Sequence, residues 1–305
     1  MKQLRRIEVP PAGGAYEKAQ RGTLRYVALS REELRALERE RPGLIVGDGD
    51  AVLIGWPASG AINLQYAFRD HGAFAQKFPG MLQQLLPAVD GLDGPIGVCC
   101  RLTERSVRPY VEPVLFANAF ELVREWWQMS LDALPEGRTT SDEVTPGFSL
   151  RPSRLEDADA IAELDAVSFV IPSLTPSVAR EQIERAPVLR VLQDLASGRV
   201  IGYLQLGIRP PAGGYVSELA VHPDYQRRRL GEALLRWALA WFRSQGLKNA
   251  ALQVNTDNAP AIALYRKLGF AAGDIGVDYR RPIDEDEVRQ VLKKHRAQHI
   301  TVRRP

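Results

Sequence analysis

Within the apolar, strand-like run YVSELAV at residues 215–221, one side chain carries a charge that chemistry can use. Strand alternation puts Glu218 on the same side as Val216 and Ala220, a face that otherwise reads apolar. A carboxylate held there is a candidate general base. An alkyl amine with a pKa near ~10.4 is neutral only about once in a few thousand molecules at pH 7, and a positioned base contributes roughly 10²–10⁴ in rate. The other reading of Glu218 is a solvated carboxylate on a half-exposed sheet. Downstream, Gln226, Arg227, Arg228, Arg229, Leu230 and Gly231 lead into a helical pattern. The first amides of a helix lack internal partners and attract anions. The backbone from Arg227 to Ala233, Glu232 included, is thus placed to face a pyrophosphate, with the helix dipole and three arginines adding positive potential. A solvated turn accounts for the arginine triplet taken alone. A nucleic-acid phosphate is a further reading, but no aromatic stacking platform or recognition helix accompanies the triplet. Asn258, followed by Ala259 and Pro260, has the arrangement of an N-cap with proline in the first turn. Tyr265 then shares a helical face with Ala261, Ile262 and Leu268, where tyrosines are ordinarily core residues.

The elements that must position these groups follow from periodicity. A short strand is expected at 148–151, a helix at 156–169 with Ile161, Leu164 and Val167 on one face, and a helix at 176–185. Two strands at 189–195 and 200–208 flank the hairpin punctuation Ala196, Ser197 and Gly198. The strand at 215–221 comes next. Leu230, Ala233, Leu234, Trp237, Ala238 and Trp241 then mark one face of a long helix. A strand at 252–254, a helix at 259–268 closed by Gly269 and a strand at 275–279 complete a mixed α/β order, a central sheet covered by helices.

Taken together, ELAVHPDYQRRRLGEALL at 218–235 and NTDNAPAIALYRKLGF at 255–270 resemble the two central motifs of the GNAT N-acetyltransferases. The resemblance covers roughly 135 residues, and the family's first motif glycine is replaced here by Arg229. It implies a mixed, mostly antiparallel sheet and acetyl-CoA as cosubstrate. It also implies that Leu219, Ala220 and Val221 hold the thioester and pantetheine arm through a strand splayed from its neighbour. Gln226, Arg227, Arg228, Arg229, Leu230, Gly231, Glu232 and Ala233 would hold the pyrophosphate, and Asn258 would contact the arm. Glu218 would be the base and Tyr265 the acid that protonates the departing thiolate. Direct attack of the amine fits the lack of a nucleophile-elbow motif or a cysteine in this half.

With 305 residues, 45% hydrophobic and 25% charged, the chain has room for two cores. The Pro-, Gly- and Thr-containing segment 134–147 reads as a linker between a domain at 1–133 and a catalytic domain at 148–283, with a helical tail at 284–305. The halves echo each other at an offset of about 150 residues. That offset sets Phe68, Arg108 and Leu115 opposite Glu218, Asn258 and Tyr265, and residues 76–81 opposite the pyrophosphate loop. The N-terminal half is therefore expected to be a degenerate, non-catalytic GNAT-like lobe in a tandem fold. Cys99 and Cys100 are adjacent and suit neither a disulfide nor a metal, and four histidines lack ligand spacing, so no metal is expected. No membrane span or signal peptide is read, which points to the cytoplasm, and a net charge of +3 does not call for a nucleic-acid partner. The acceptor is expected to be a small-molecule amine or a protein amino group, and the assembly an intramolecular pseudo-dimer or a homodimer. A CoA-binding sensor without turnover and a nucleic-acid-associated module are the alternative readings.

Overall fold

The computed structural model describes residues 22–58, 61–90, 92, 97–136, 143–169, 174–209 and 213–302. Two compact units emerge. The first combines Met1–Glu125 with Ile275–Pro305, and the second is Trp126–Asp274. In chain order the elements are β1 (Leu24–Tyr26), α1 (Arg31–Glu40), β2 (Ile45–Asp48), β3 (Ala51–Ala58), β4 (Ala61–Phe68), α2 (His71–Asp90), β5 (Val98–Leu102), α3 (Arg108–Ala117) and β6 (Glu121–Leu131). They continue with β7 (Glu143–Thr145), β8 (Phe148–Pro152), α4 (Ala158–Ser168), α5 (Pro176–Arg185), β9 (Val188–Asp194), β10 (Val200–Arg209), β11 (Gly213–Val221) and α6 (Leu230–Ser244). The last are β12 (Ala250–Asn255), α7 (Ala259–Lys267), β13 (Ala271–Arg281) and α8 (Glu285–Val302).

The division differs from the boundary expected at 134–147, because two strands are split between the units. Residues 126–131 of β6 pair antiparallel with β12 in the second unit. Residues 277–281 of β13 pair with β5 in the first. Of the expected linker, residues 137–142 lie outside the described residues, as do residues 1–21. Leu134 donates its amide to Lys248, and β7 pairs with β8, so both flanks of that segment belong to the second unit.

In the second unit the strand order is β7-β8-β9-β10-β11-β12-β6, antiparallel except for β11 against β12. Apolar residues on one face, among them Leu192, Leu204, Leu206 and Val216, pack under α6 and α7. Val191, Tyr203 and Ala220 on the other pack under α4 and α5. Gly214 makes the α6 contact possible, since a Cβ there would stand 2.5 Å from the Phe242 ring. α5 begins where Thr175 accepts the Val178 amide and Pro176 opens the helix. α4 starts at Ala158 rather than 156, because Asp157, held bidentately by Arg151 at 2.8 Å, ends a short 3-10 turn first.

The first unit repeats this plan as β2-β3-β4-β5-β13, with β4 and β5 parallel and β1 added on β4. Its parallel pairs run from Ile62↔Val98 to Leu64↔Cys100, and those of the second from Gly214↔Ala250 to Val216↔Leu252, a spacing of 152 residues. The helix ends correspond at 150: Phe120 donates to the Leu115 carbonyl and Phe270 to the Tyr265 carbonyl, each at 3.0 Å. Residues 76–81 are not a loop opposite 226–231, as the sequence offset suggests. They lie inside α2, which starts three residues after β4 ends.

Candidate functional site

The site forms where β11 leaves β12. Their parallel pairing stops at Val216↔Leu252, while β12 stays paired with β6 as far as Asn255 and β11 stays paired with β10 as far as Val221. At that point β11 carries a bulge: Val216 pairs with Leu206 and Glu218 with Gln205, so Ser217 has no opposite number. One extra residue inverts the alternation of side chains beyond it. Glu218 therefore keeps the face of Ala220 but not that of Val216, contrary to simple period-two reading, and stands beside Gln205 under α4 and α5.

The same register fixes the backbone. The His222 amide donates to Ile201 across the β10 edge, so antiparallel alternation turns the amides of Ala220 and Glu218 toward β10. Leu219 and Val221 turn theirs toward the edge that β12 has left. The Gln226 side chain supports this edge by donating to the Val221 carbonyl at 3.1 Å. These are the positions at which the resemblance places a splay.

The loop that follows closes with two arginines in the left-handed region, Arg227 at φ 60° and Arg229 at φ 63°. Arg229 thus adopts the backbone that the motif's usual glycine makes easy, and no ordinary dihedral relieves it. A left-handed residue feeding a right-handed helix makes a concave row of amides. Leu230, Gly231 and Glu232 supply that row. Ala233 does not, because its amide donates to the Arg229 carbonyl at 3.0 Å. Arg227, Arg228 and Arg229 are exposed, with the Arg228 guanidinium 5.0 Å from the Tyr225 ring centre. Glu232 is bound by Lys267 at 2.6 Å and Arg236 at 2.8 Å, which hold its carboxyl below the usual carboxylate range. Gly231 has no internal reason to be glycine. A Cβ there would meet only Leu264 Cδ2, at an ordinary 3.6 Å.

Across the gap, Asn258 caps α7 through Oδ1, accepting the Ala261 amide at 3.2 Å, and is exposed. Tyr265, 8% exposed, packs against Phe270. Burial first, and then the negative charge of Glu218, push its phenol up to about 12, so the two groups are electrostatically in reach of each other. Sequence reading missed a second layer. Tyr203 donates to the buried Asp165 at 2.6 Å, Asp165 also accepts the Leu174 amide at 3.0 Å, and Gln205 donates to Gln182 at 2.8 Å. These bonds tie α4 and α5 to β10 behind Glu218. The available signal was an acid, Asp165, within one turn of Ile161 and Leu164 on an apolar helix stripe.

Among the described residues no group of three or more His, Cys, Asp or Glu is placed to hold a metal ion, and no helix is long and apolar enough to cross a membrane.

Residues 158–270 match the acetyltransferase (GNAT) family model. The mycothiol acetyltransferase of Clavibacter michiganensis subsp. michiganensis is 29% identical over 79% of this chain and 84% of that protein. The N-alpha-acetyltransferase RimI of Mycobacterium tuberculosis is 36% identical over 37% of this chain and 72% of that protein. Among solved structures, a GCN5-related N-acetyltransferase from Sphaerobacter thermophilus superposes with a TM-score of 0.61 at 18% identity, covering 84% of this chain and 86% of that one. A tandem GNAT protein from the clavulanic acid biosynthesis pathway gives 0.58 at 15%, over 90% and 96%. The chain belongs to the GNAT family, which uses acetyl-CoA. It is an acetyl-CoA-dependent N-acetyltransferase built on a tandem GNAT fold.

Proposed function

We propose that the second unit carries the reaction and that the first is non-catalytic, and the observation that carries this reading is the parting of β11 from β12 after Val216. The residues around the gap fit acetyl-CoA. The amides of Leu219 and Val221 would bind the pantetheine arm and the thioester carbonyl. Those of Leu230, Gly231 and Glu232, with Arg227, Arg228 and Arg229, would hold the pyrophosphate, and Asn258 Nδ2 would reach the arm. Acetyl-CoA supplies an activated acetyl thioester. Glu218, through a water, takes the proton of the acceptor ammonium and leaves the amine free to attack. Tyr265 stays protonated throughout neutral pH, because its phenol is pushed up to about 12. Its role is to donate a hydrogen bond to the sulfur as the C–S bond breaks. Of the two protons the acceptor ammonium loses on becoming an amide, one goes to Glu218 through the water and the other ends on the sulfur, which leaves as the free thiol. In the first unit Leu115 stands where Tyr265 does, so the phenol has no counterpart at that position.

For the acceptor we infer a small-molecule amine of the kind used by the mycothiol acetyltransferases, since the similarity to one of them spans 79% of this chain, whereas that to RimI spans 37% of it. The test is release of free CoA thiol from acetyl-CoA with two acceptors, that amine and a peptide α-amino group. Turnover with the small amine, cut on the order of 100-fold or more in Glu218→Gln, supports the reading. Turnover only with the peptide overturns the acceptor, and binding of acetyl-CoA without thiol release overturns the catalytic roles.

A further inference from the structure

In the first unit the edge corresponding to the open edge of β11 is taken. β4 and β5 part after Leu64↔Cys100, as β11 and β12 part after Val216↔Leu252. β4 has no bulge, so beyond this point the spacing becomes 153 residues. Gln65, not Phe68, stands opposite Glu218, and Tyr66 and Phe68 stand opposite Leu219 and Val221. There β1 pairs antiparallel with β4, with Tyr26 on Tyr66 and Leu24 on Phe68. β3 holds the other edge of β4 along its length, so β1 lies on the side from which β5 has departed.

The fit of this segment is close. Thr23 donates its amide and its hydroxyl to the Arg69 carbonyl at 3.1 and 2.8 Å. The Ala28 amide donates to Gln65 Oε1. Leu24 is 3% exposed within the core, and any Cβ on Gly22 would collide with the Phe68 carbonyl. The helix that follows is filled as well. Asp70 Oδ1 accepts the Ala73 amide at 2.8 Å, and that bond, with the Arg69 pair at 3.0 Å, holds its carboxyl below the usual range. In the second unit the corresponding stretch between strand and helix runs through residues 222–229, whereas here it is Arg69 and Asp70 alone.

We propose that the first unit is a self-occupied copy of the acyl-CoA cleft, in which residues 22–28 lie in the place of the pantetheine arm and Asp70 in the place of the pyrophosphate. A strand edge accepts any backbone of matching pattern, and a helix N-terminus any carboxylate or phosphate, so the chain's own groups satisfy both sets of amides. This rests on the reading of the second unit's gap as the acyl-CoA site, and it makes the chain bind one acetyl-CoA rather than two.

Two measurements on the full chain decide it. Hydrogen exchange of the ligand-free protein should show the amides of Tyr66 and Phe68 exchanging on the order of 100-fold more slowly than those of Leu219 and Val221. Equal rates would overturn the self-occupied cleft whatever the second unit binds. Equilibrium dialysis with labelled acetyl-CoA should give one equivalent for the wild type and none for Gly231→Trp. A second equivalent, or one that survives Gly231→Trp, would overturn it while the chain still binds acetyl-CoA. No binding by the wild type would instead contradict the reading of the second unit, with the exchange rates still deciding the occupancy of the first.

Discussion

Arg229 stands at φ 63° where the GNAT motif ordinarily has glycine, and a non-glycine residue there costs roughly 1–2 kcal/mol. Arg229→Gly should therefore raise the thermal midpoint by a few degrees, read by calorimetry, while lowering the salt dependence of acetyl-CoA binding through the lost charge. A lower midpoint would mean that the arginine makes contacts that outweigh its backbone. Tyr265 gives a pH prediction. Because its folded phenol lies near 12, above the ordinary value, it stays a donor below that range and is lost only as pH rises through it. kcat/KM should rise with pH as the amine deprotonates, without a falling limb below about pH 9.5. In Tyr265→Phe the rate should drop with the shape unchanged. The sequence placed Glu218 on a strand, the 226–232 loop at the start of α6, and Asn258 and Tyr265 at the cap and on the buried face of α7, as the structure has them; their roles in binding and catalysis are what we propose. The face of Glu218 was not legible, because a bulge at Ser217 depends on the partner strand and leaves no local pattern. Nor was the spent amide of Ala233, which follows from where the first helical bond closes.

α5 could be read to its exact ends, since Thr175 and Pro176 are local signals, and α6 from its apolar stripe. What periodicity could not convey is which sheet a strand joins. β13 continues the pattern of its own half, yet residues 277–281 pair in the first unit, where Asp278 is clamped by Arg101 at 2.7 Å and Arg124 at 2.8 Å. Burial alone would raise the Asp278 carboxyl, but the two guanidinium groups outweigh it and hold it below the usual range. Asp278→Ala leaves two partly buried cations without their carboxylate and should cost about 3 kcal/mol. The sign with pH follows from the depressed value. The stabilisation is complete above the unfolded carboxylate value of about 4 and is lost as pH falls through the lower folded one. Denaturant midpoints of wild type and variant should therefore differ most near neutrality and converge in acid. A constant difference down to pH 2 would contradict the clamp.

At the scale of the molecule, the internal echo was audible at an offset of about 150, but a single offset set Phe68 rather than Gln65 opposite Glu218. The real spacing changes from 152 to 153 across the bulge and is 150 at the helix ends. The exchanged strands also govern how the chain can be cut. A fragment of residues 126–274 keeps the partner strand of β12 and should be folded and monomeric by circular dichroism and gel filtration. A fragment of residues 148–283 lacks that strand and carries residues that pair elsewhere, so it should aggregate through the bared edge of β12. The reverse result would place the working boundary at the linker.

The most direct test of the second unit as the acetyl-CoA site is calorimetric titration of acetyl-CoA into the wild type, Gly231→Ala and Gly231→Trp. The space around Gly231 predicts that both variants remain folded, that Ala weakens binding and that Trp abolishes it. Undiminished binding by Gly231→Trp, or no binding by the wild type, would contradict the account.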